Sequence, residues 1–153
     1  MKHGVAKHGT LDRSVEQVAD RLHSAAIHLL RHVRRQDTAL GEGPARLSAL
    51  SVLVFGGSMN LGQLAAAEQV KPPTMTRIVT GLEKNGLAER ISDSADARRV
   101  QIHATPKGVR LMQRGRKARI EYLARQLAML TKDELAILGE AVEVLQRVLQ
   151  RWT

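Results

Sequence analysis

The chain contains no cysteine, which removes disulfides, thiolate metal ligands and thiol-based redox sensing. Aromatic residues are almost as scarce, with one Phe, one Tyr and one Trp among 153 residues. A ligand cage of stacked rings is therefore not expected, although aliphatic side chains and arginine could still line a pocket. Long apolar runs are missing too: the longest, residues 47–55, is broken by Ser48 and Ser51 and is too short to cross a bilayer. Residues 1–10 lack the apolar core of a signal peptide, so the expectation is a cytoplasmic protein with no membrane partner. There is no glycine-rich phosphate loop, no serine elbow and no cysteine nucleophile, and the carboxylates are scattered over charged faces instead of gathered around a histidine. Neither an enzyme nor a resident cofactor is expected.

What the chain has in excess is positive charge, a formal net charge of +9. Such a surplus favours an anionic partner, because each phosphate neutralised releases counterions. A chain of this length can bury a real core in one domain.

Along the sequence, residues 1–11 show no apolar period and read as a flexible tail. From Leu11 to about Arg35, Val15, Val18, Ala19, Leu22, Ala25, Ala26, Leu29 and Val33 recur at helical spacing, as in one long amphipathic helix. Gly41, Gly43 and Pro44 mark a linker. A middle region follows to Thr105, and Pro106 and Lys107 open a second long helical region. Near its end Thr131 and Glu134 form the capping box of a last helix.

Residues 61–105 are the most informative. LGQLAAAEQVKPPTMTRIVTGLEKNGL reads as a short helix, a turn and a second helix, and AERISDSADARRVQIHAT as two strands around a polar loop. That order is a winged helix-turn-helix, which sets one helix in the DNA major groove with a hairpin beside it. Ser48 can cap a preceding helix that ends at Gly56 and Gly57, and Asn60 with Gln63 can cap the first helix of the motif. Its second helix is expected from about Pro72 to Asn85-Gly86. Met75, Ile78, Val79 and Leu82 share the inward face, leaving Pro73, Arg77, Thr80 and Lys84 outside, flanked by Thr76 and Glu83. Small polar side chains permit close approach, and an arginine can donate twice to guanine. The helix start is expected to offer backbone N–H groups and a positive end to a phosphate. An ordinary solvated helix face would carry similar residues. In the wing, Val100, Ile102 and Ala104 alternate with Gln101, His103 and Thr105, and residues 88–91 can pair with them. The adjacent Arg98 and Arg99 are placed to reach the minor groove or flanking phosphates, while Asp96 is suited to bracing an arginine.

These residues, TMTRIVTGLEKNGL, then DSADARR, then TPKG, resemble the MarR family of bacterial transcriptional regulators, over nearly the whole chain. The resemblance implies a mainly α fold with a small β-hairpin wing, a winged helix-turn-helix flanked by long dimerisation helices. It places Thr74, Thr76 and Arg77 in the major groove and Arg98 in the minor groove, and matches Asp96 to the family's wing aspartate. Two departures stand out: Lys71 and Pro73 replace serines common in the family, and Glu68-Gln69 replaces the usual Leu-Gly of the turn. The expected DNA-contacting set is Lys71, Pro73, Thr74, Thr76, Arg77, Thr80, Lys84, Arg98 and Arg99.

In the last helix Leu135, Leu138, Val142, Leu145 and Leu149 repeat at heptad spacing beside a second seam of Ile137, Ala141, Val144 and Val148. Ile120, Leu123, Leu127 and Leu130 add a stripe in the helix before it. These seams, with the first helix, lead to the expectation of a homodimer on a pseudo-palindromic site in double-stranded DNA. Its interface would include Val15, Val18, Leu22, Leu123, Leu127, Leu138, Val142, Leu145 and Leu149. The implied division is a tail (1–11), a helical dimerisation region (12–45 and 106–153) and a winged DNA-binding domain (46–105). The resemblance further implies a repressor relieved by a small-molecule effector, often an aromatic anion. A basic stripe, Lys107, Arg110, Arg114 and Lys117, leaves directly from the wing and could meet phosphates. Two other readings stay open: a constitutive DNA-architectural protein held by charge, and a metal-sensing regulator using His28 and His32, at i and i+4, with His23 nearby.

Overall fold

A computed structural model describes residues 12–92 and 100–152. They fall into two units divided after Arg35. The first is a single helix, α1 (Arg13–Arg34), whose N-cap Asp12 accepts the Ser14 N–H at 3.1 Å. That backbone bond, followed by the Ser14 hydroxyl, lowers the Asp12 pKa. Val15, Val18, Leu22, Leu29 and Leu30 are all exposed on it.

A 3-10 segment (Arg35–Leu40) spans the division, and the second unit, from Gln36, continues through α2 (Pro44–Gly56), α3 (Leu61–Ala67), α4 (Pro72–Lys84), β1 (Ala88–Ser92), β2 (Val100–Ala104), α5 (Pro106–Leu127) and α6 (Lys132–Leu149). The helix expected after a Ser48 cap starts earlier, because Pro44 occupies its first turn with Gly43 as N-cap. Proline suits that position: its φ is already helical and no N–H is left without a partner. Ser48 lies inside α2, where its hydroxyl donates to Glu68 Oε1 at 3.0 Å and ties α2 to the end of α3. The capping boxes at Asn60/Gln63 and Thr131/Glu134 form as their spacing predicts.

One core joins these elements. Leu47, Ala49, Leu50 and Leu53 of α2 meet Leu64 and Ala65 of α3, and Met75, Val79 and Leu82 of α4; Leu87, Ala88, Ile102, Leu111 and Met112 close the cluster. The inward face of α4 is the one its periodicity specifies, with Ile78 only partly buried at its margin. β1 and β2 are antiparallel in the register Ala88 to Ala104 through Ser92 to Val100. Met59, in the connector after α2, bridges Ile102 on the other edge of β2, with its N–H to the Ile102 carbonyl at 3.3 Å and the reverse bond at 2.9 Å. Neighbours on both edges explain why Gln101 and His103 are half-buried instead of fully exposed as simple alternation suggests.

Candidate nucleic-acid interface

The geometry of α4 depends on how its two ends are held. At the entrance, α3 closes on a Schellman-type turn: Val70 N–H reaches the Ala65 carbonyl at 2.9 Å and Gln69 N–H the Ala66 carbonyl at 3.1 Å. Gln69 therefore sits at φ +53°, a left-handed position that usually takes glycine. α4 then begins with Lys71 as N-cap and no side-chain cap. Its first turn does not offer the free N–H groups expected there. Pro72 and Pro73 have none, and the N–H groups of Thr74 and Met75 already donate to the Lys71 carbonyl at 2.9 and 3.1 Å. A phosphate at this end would meet the Lys71 ammonium and the helix dipole rather than a row of donors.

The exit is held from three directions. Gly86, at φ +67°, closes a second Schellman turn, with Leu87 N–H to Leu82 O at 2.8 Å and Gly86 N–H to Glu83 O at 2.8 Å. Asn85 Nδ2 donates to Glu42 Oε1 at 2.5 Å, and the other oxygen of that largely buried carboxylate lies 3.1 Å from Arg46 Nε. Lys107 Nζ donates to the Asn85 carbonyl at 2.7 Å, and the Thr105 hydroxyl to the Gly86 carbonyl at 2.7 Å. The segment before α2, the first turn of α5 and the base of the hairpin thus all grip the end of α4.

Between these anchors Lys71, Pro73, Thr74, Thr76, Arg77, Thr80 and Lys84 are exposed. The Thr76 hydroxyl donates to the Pro72 carbonyl at 3.0 Å, which leaves its oxygen as an acceptor. Arg77 and Lys84 have no ion-pair partner among the described residues. Glu83 is the one acid on α4, and Arg90 of β1 pairs with it at 2.5 Å. The outer face of α4 is thereby left with positive and small polar groups. The Glu83–Arg90 pair, the Glu42–Asn85 contact and the Lys107 bond were not foreseen from sequence, because each joins residues that only the tertiary fold makes neighbours.

Arg98, Arg99 and Asp96 lie outside the described residues. Of the residues expected at a dimer interface, Val15, Val18, Leu22, Leu138, Val142 and Leu149 are exposed and Leu123, Leu127 and Leu145 are half-buried. His23, His28 and His32 are exposed on α1, and no group of three or more His, Asp or Glu side chains comes together among the described residues. No described helix is long and apolar enough to cross a membrane.

The model of the MarR family matches residues 44–100, from the start of α2 to the first residue of β2. An HTH-type transcriptional regulator of Mycobacterium tuberculosis is 34% identical over 129 residues, covering 84% of this chain and 90% of that protein. A MarR family protein from Bacillus stearothermophilus has the same fold, with a TM-score of 0.74 at 24% identity over 93% of this chain and 99% of that one. A mutant of MepR from Staphylococcus aureus, solved bound to an oligodeoxyribonucleotide, superposes with a TM-score of 0.69 at 18% identity over 86% of this chain and 97% of that one. These relatives are regulators and not enzymes, and the chain belongs to the MarR family of transcriptional regulators, with a winged-helix DNA-binding fold.

Proposed function

We propose that the protein binds a pseudo-palindromic operator as a homodimer and represses transcription there until a small ligand releases it. The observation that carries the DNA reading is the outer face of α4, where Lys71, Thr74, Thr76, Arg77, Thr80 and Lys84 are exposed and Glu83 is neutralised by Arg90. In this reading α4 enters the major groove, where Arg77 pairs with a guanine edge and the threonines allow close approach. Arg98 enters the minor groove from the wing, and Arg99 meets phosphate. Likeness in fold to MepR, solved bound to an oligodeoxyribonucleotide, supports DNA as partner. The exposed apolar residues of α1 and α6 support the dimer.

The experiment is selection of duplexes from a random library, followed by competition between the enriched sequence and random DNA. A sequence-reading regulator should prefer its site by roughly 4 to 10 kcal/mol, and the site should be two-fold related. Equal affinity for both would instead describe an architectural protein held by charge. A promoter–reporter fusion carrying the selected site reads the sign of regulation and its response to candidate effectors.

A further inference from the structure

We propose that the exposed basic face of α5 is a second DNA contact, a rail that holds phosphates flanking the segment read by α4. The inference rests on the reading that α4 enters a DNA groove, and it adds a surface which that reading does not use. Lys107, Arg110, Arg114 and Lys117 stand at i, i+3, i+7 and i+10, so one cation per turn runs for roughly 15 Å at about 1.5 Å per residue. With Gln113 they line a single groove that has no carboxylate among its lining residues. The opposite edge of the helix, Gly108, Leu111, Met112 and Gly115, is buried and fixes which side faces out. A Cβ on Gly108 would collide with the Leu87 carbonyl, so this first turn is seated directly against the residue that precedes β1.

Continuity with the proposed reading face points to DNA as the occupant. Arg77, Thr80 and Lys84 run along the outside of α4 to its last residue. The next carbonyl, that of Asn85, accepts from Lys107 at the head of the rail. The last cation of α4, Lys84, is thus followed directly in the chain by the residue whose carbonyl Lys107 holds. Arg110 and Arg114 are exposed and have no ion-pair partner among the described residues, whereas Lys117 lies 3.8 Å from Glu121. Among the described residues, only side chains of α5 itself line the groove, and none from another element encloses a small anion there. A duplex backbone needs only such an open row of charge, because its affinity comes from counterion release at successive phosphates.

The test measures binding to a long random-sequence duplex across a salt series, and in parallel the preference for a library-selected site. Arg110→Gln with Arg114→Gln should reduce the slope of log K against log salt by about 1.8 per protomer, at about 0.9 per phosphate contact. The preference for the selected site should stay at the wild-type value. Arg116→Gln with Arg125→Gln removes the same charge elsewhere on α5 and should leave the slope unchanged, while Arg110→Lys with Arg114→Lys should keep the wild-type slope. The rail is overturned if the first pair leaves the slope unchanged, or if the control pair lowers it equally. It is also overturned if the first pair spares the slope and weakens only the binding of inorganic pyrophosphate. Absence of any site preference in the wild type would sink the operator reading instead, and the slope on random DNA reports on the rail separately.

Discussion

Arg77 and Gln69 show how single side chains in the motif take different kinds of role. Arg77 is exposed on the face of α4 opposite Met75, Val79 and Leu82, and no described carboxylate occupies it. Arg77→Ala should therefore cost about 1 to 3 kcal/mol on the selected site and relax the preference at one base pair, as loss of a bidentate contact does. Equal loss on selected and random DNA would make it a phosphate contact. Gln69 bears on the fold alone. Its φ of +53° costs a side-chain residue on the order of 1 kcal/mol, and glycine would escape that cost while gaining freedom in the unfolded chain. Gln69→Gly should leave stability within about 1 kcal/mol of wild type or raise it, whereas Gln69→Val should lower it clearly in denaturant titrations, because a β-branched residue fits this region worst.

At the scale of the element, caps were the most legible feature of the sequence. Asn60 with Gln63, Asn85-Gly86, and Thr131 with Glu134 all mark helix ends that the structure has, because each cap is a contact within a few residues. Ser48 misled for a related reason: it has the chemistry of a cap, but Pro44 starts the helix first and Ser48 is taken by Glu68, twenty residues away. The free donors expected at the start of α4 fail on residue chemistry, since two of them are prolines. The bonds that hold the exit of α4 were invisible because Glu42, Asn85 and Lys107 are far apart in sequence. The cap on α6 can be tested by pH. The Glu134 pKa is lowered, first by the backbone N–H of Thr131 and then by its hydroxyl. A carboxylate with a depressed folded pKa contributes stability above its unfolded pKa and loses that contribution as pH falls through the folded value. The difference in melting temperature between wild type and Glu134→Ala should thus be largest near neutral pH and narrow on acidification below the ordinary glutamate range. A difference that stays constant into acid would show that the carboxylate charge has no part in the cap.

The whole molecule raises the question of what covers α6. None of its eighteen residues is buried, and Leu135, Ile137, Leu138, Val142, Val144, Val148 and Leu149 are all exposed. A helix with two apolar seams and no buried side chain is incompletely packed within one chain, and water is a poor neighbour for so much hydrocarbon. In a two-fold dimer, the same seam on each copy would cover the other, and the two α4 helices would be set for half-sites about 34 to 36 Å apart, one turn of the duplex. Sedimentation at micromolar concentration should then show a dimer. Leu138→Asp combined with Leu145→Asp places two charges in the heptad seam and should yield monomer or unfolded chain, which circular dichroism separates. Should the variant remain folded, its affinity for a selected two-fold site should fall far more than its affinity for a single half-site, because only the linked arrangement lets one bound half raise the effective concentration of the other. A folded wild-type monomer at that concentration would overturn the dimer, and a variant that keeps both its dimer and its two-fold preference would place the interface elsewhere than α6.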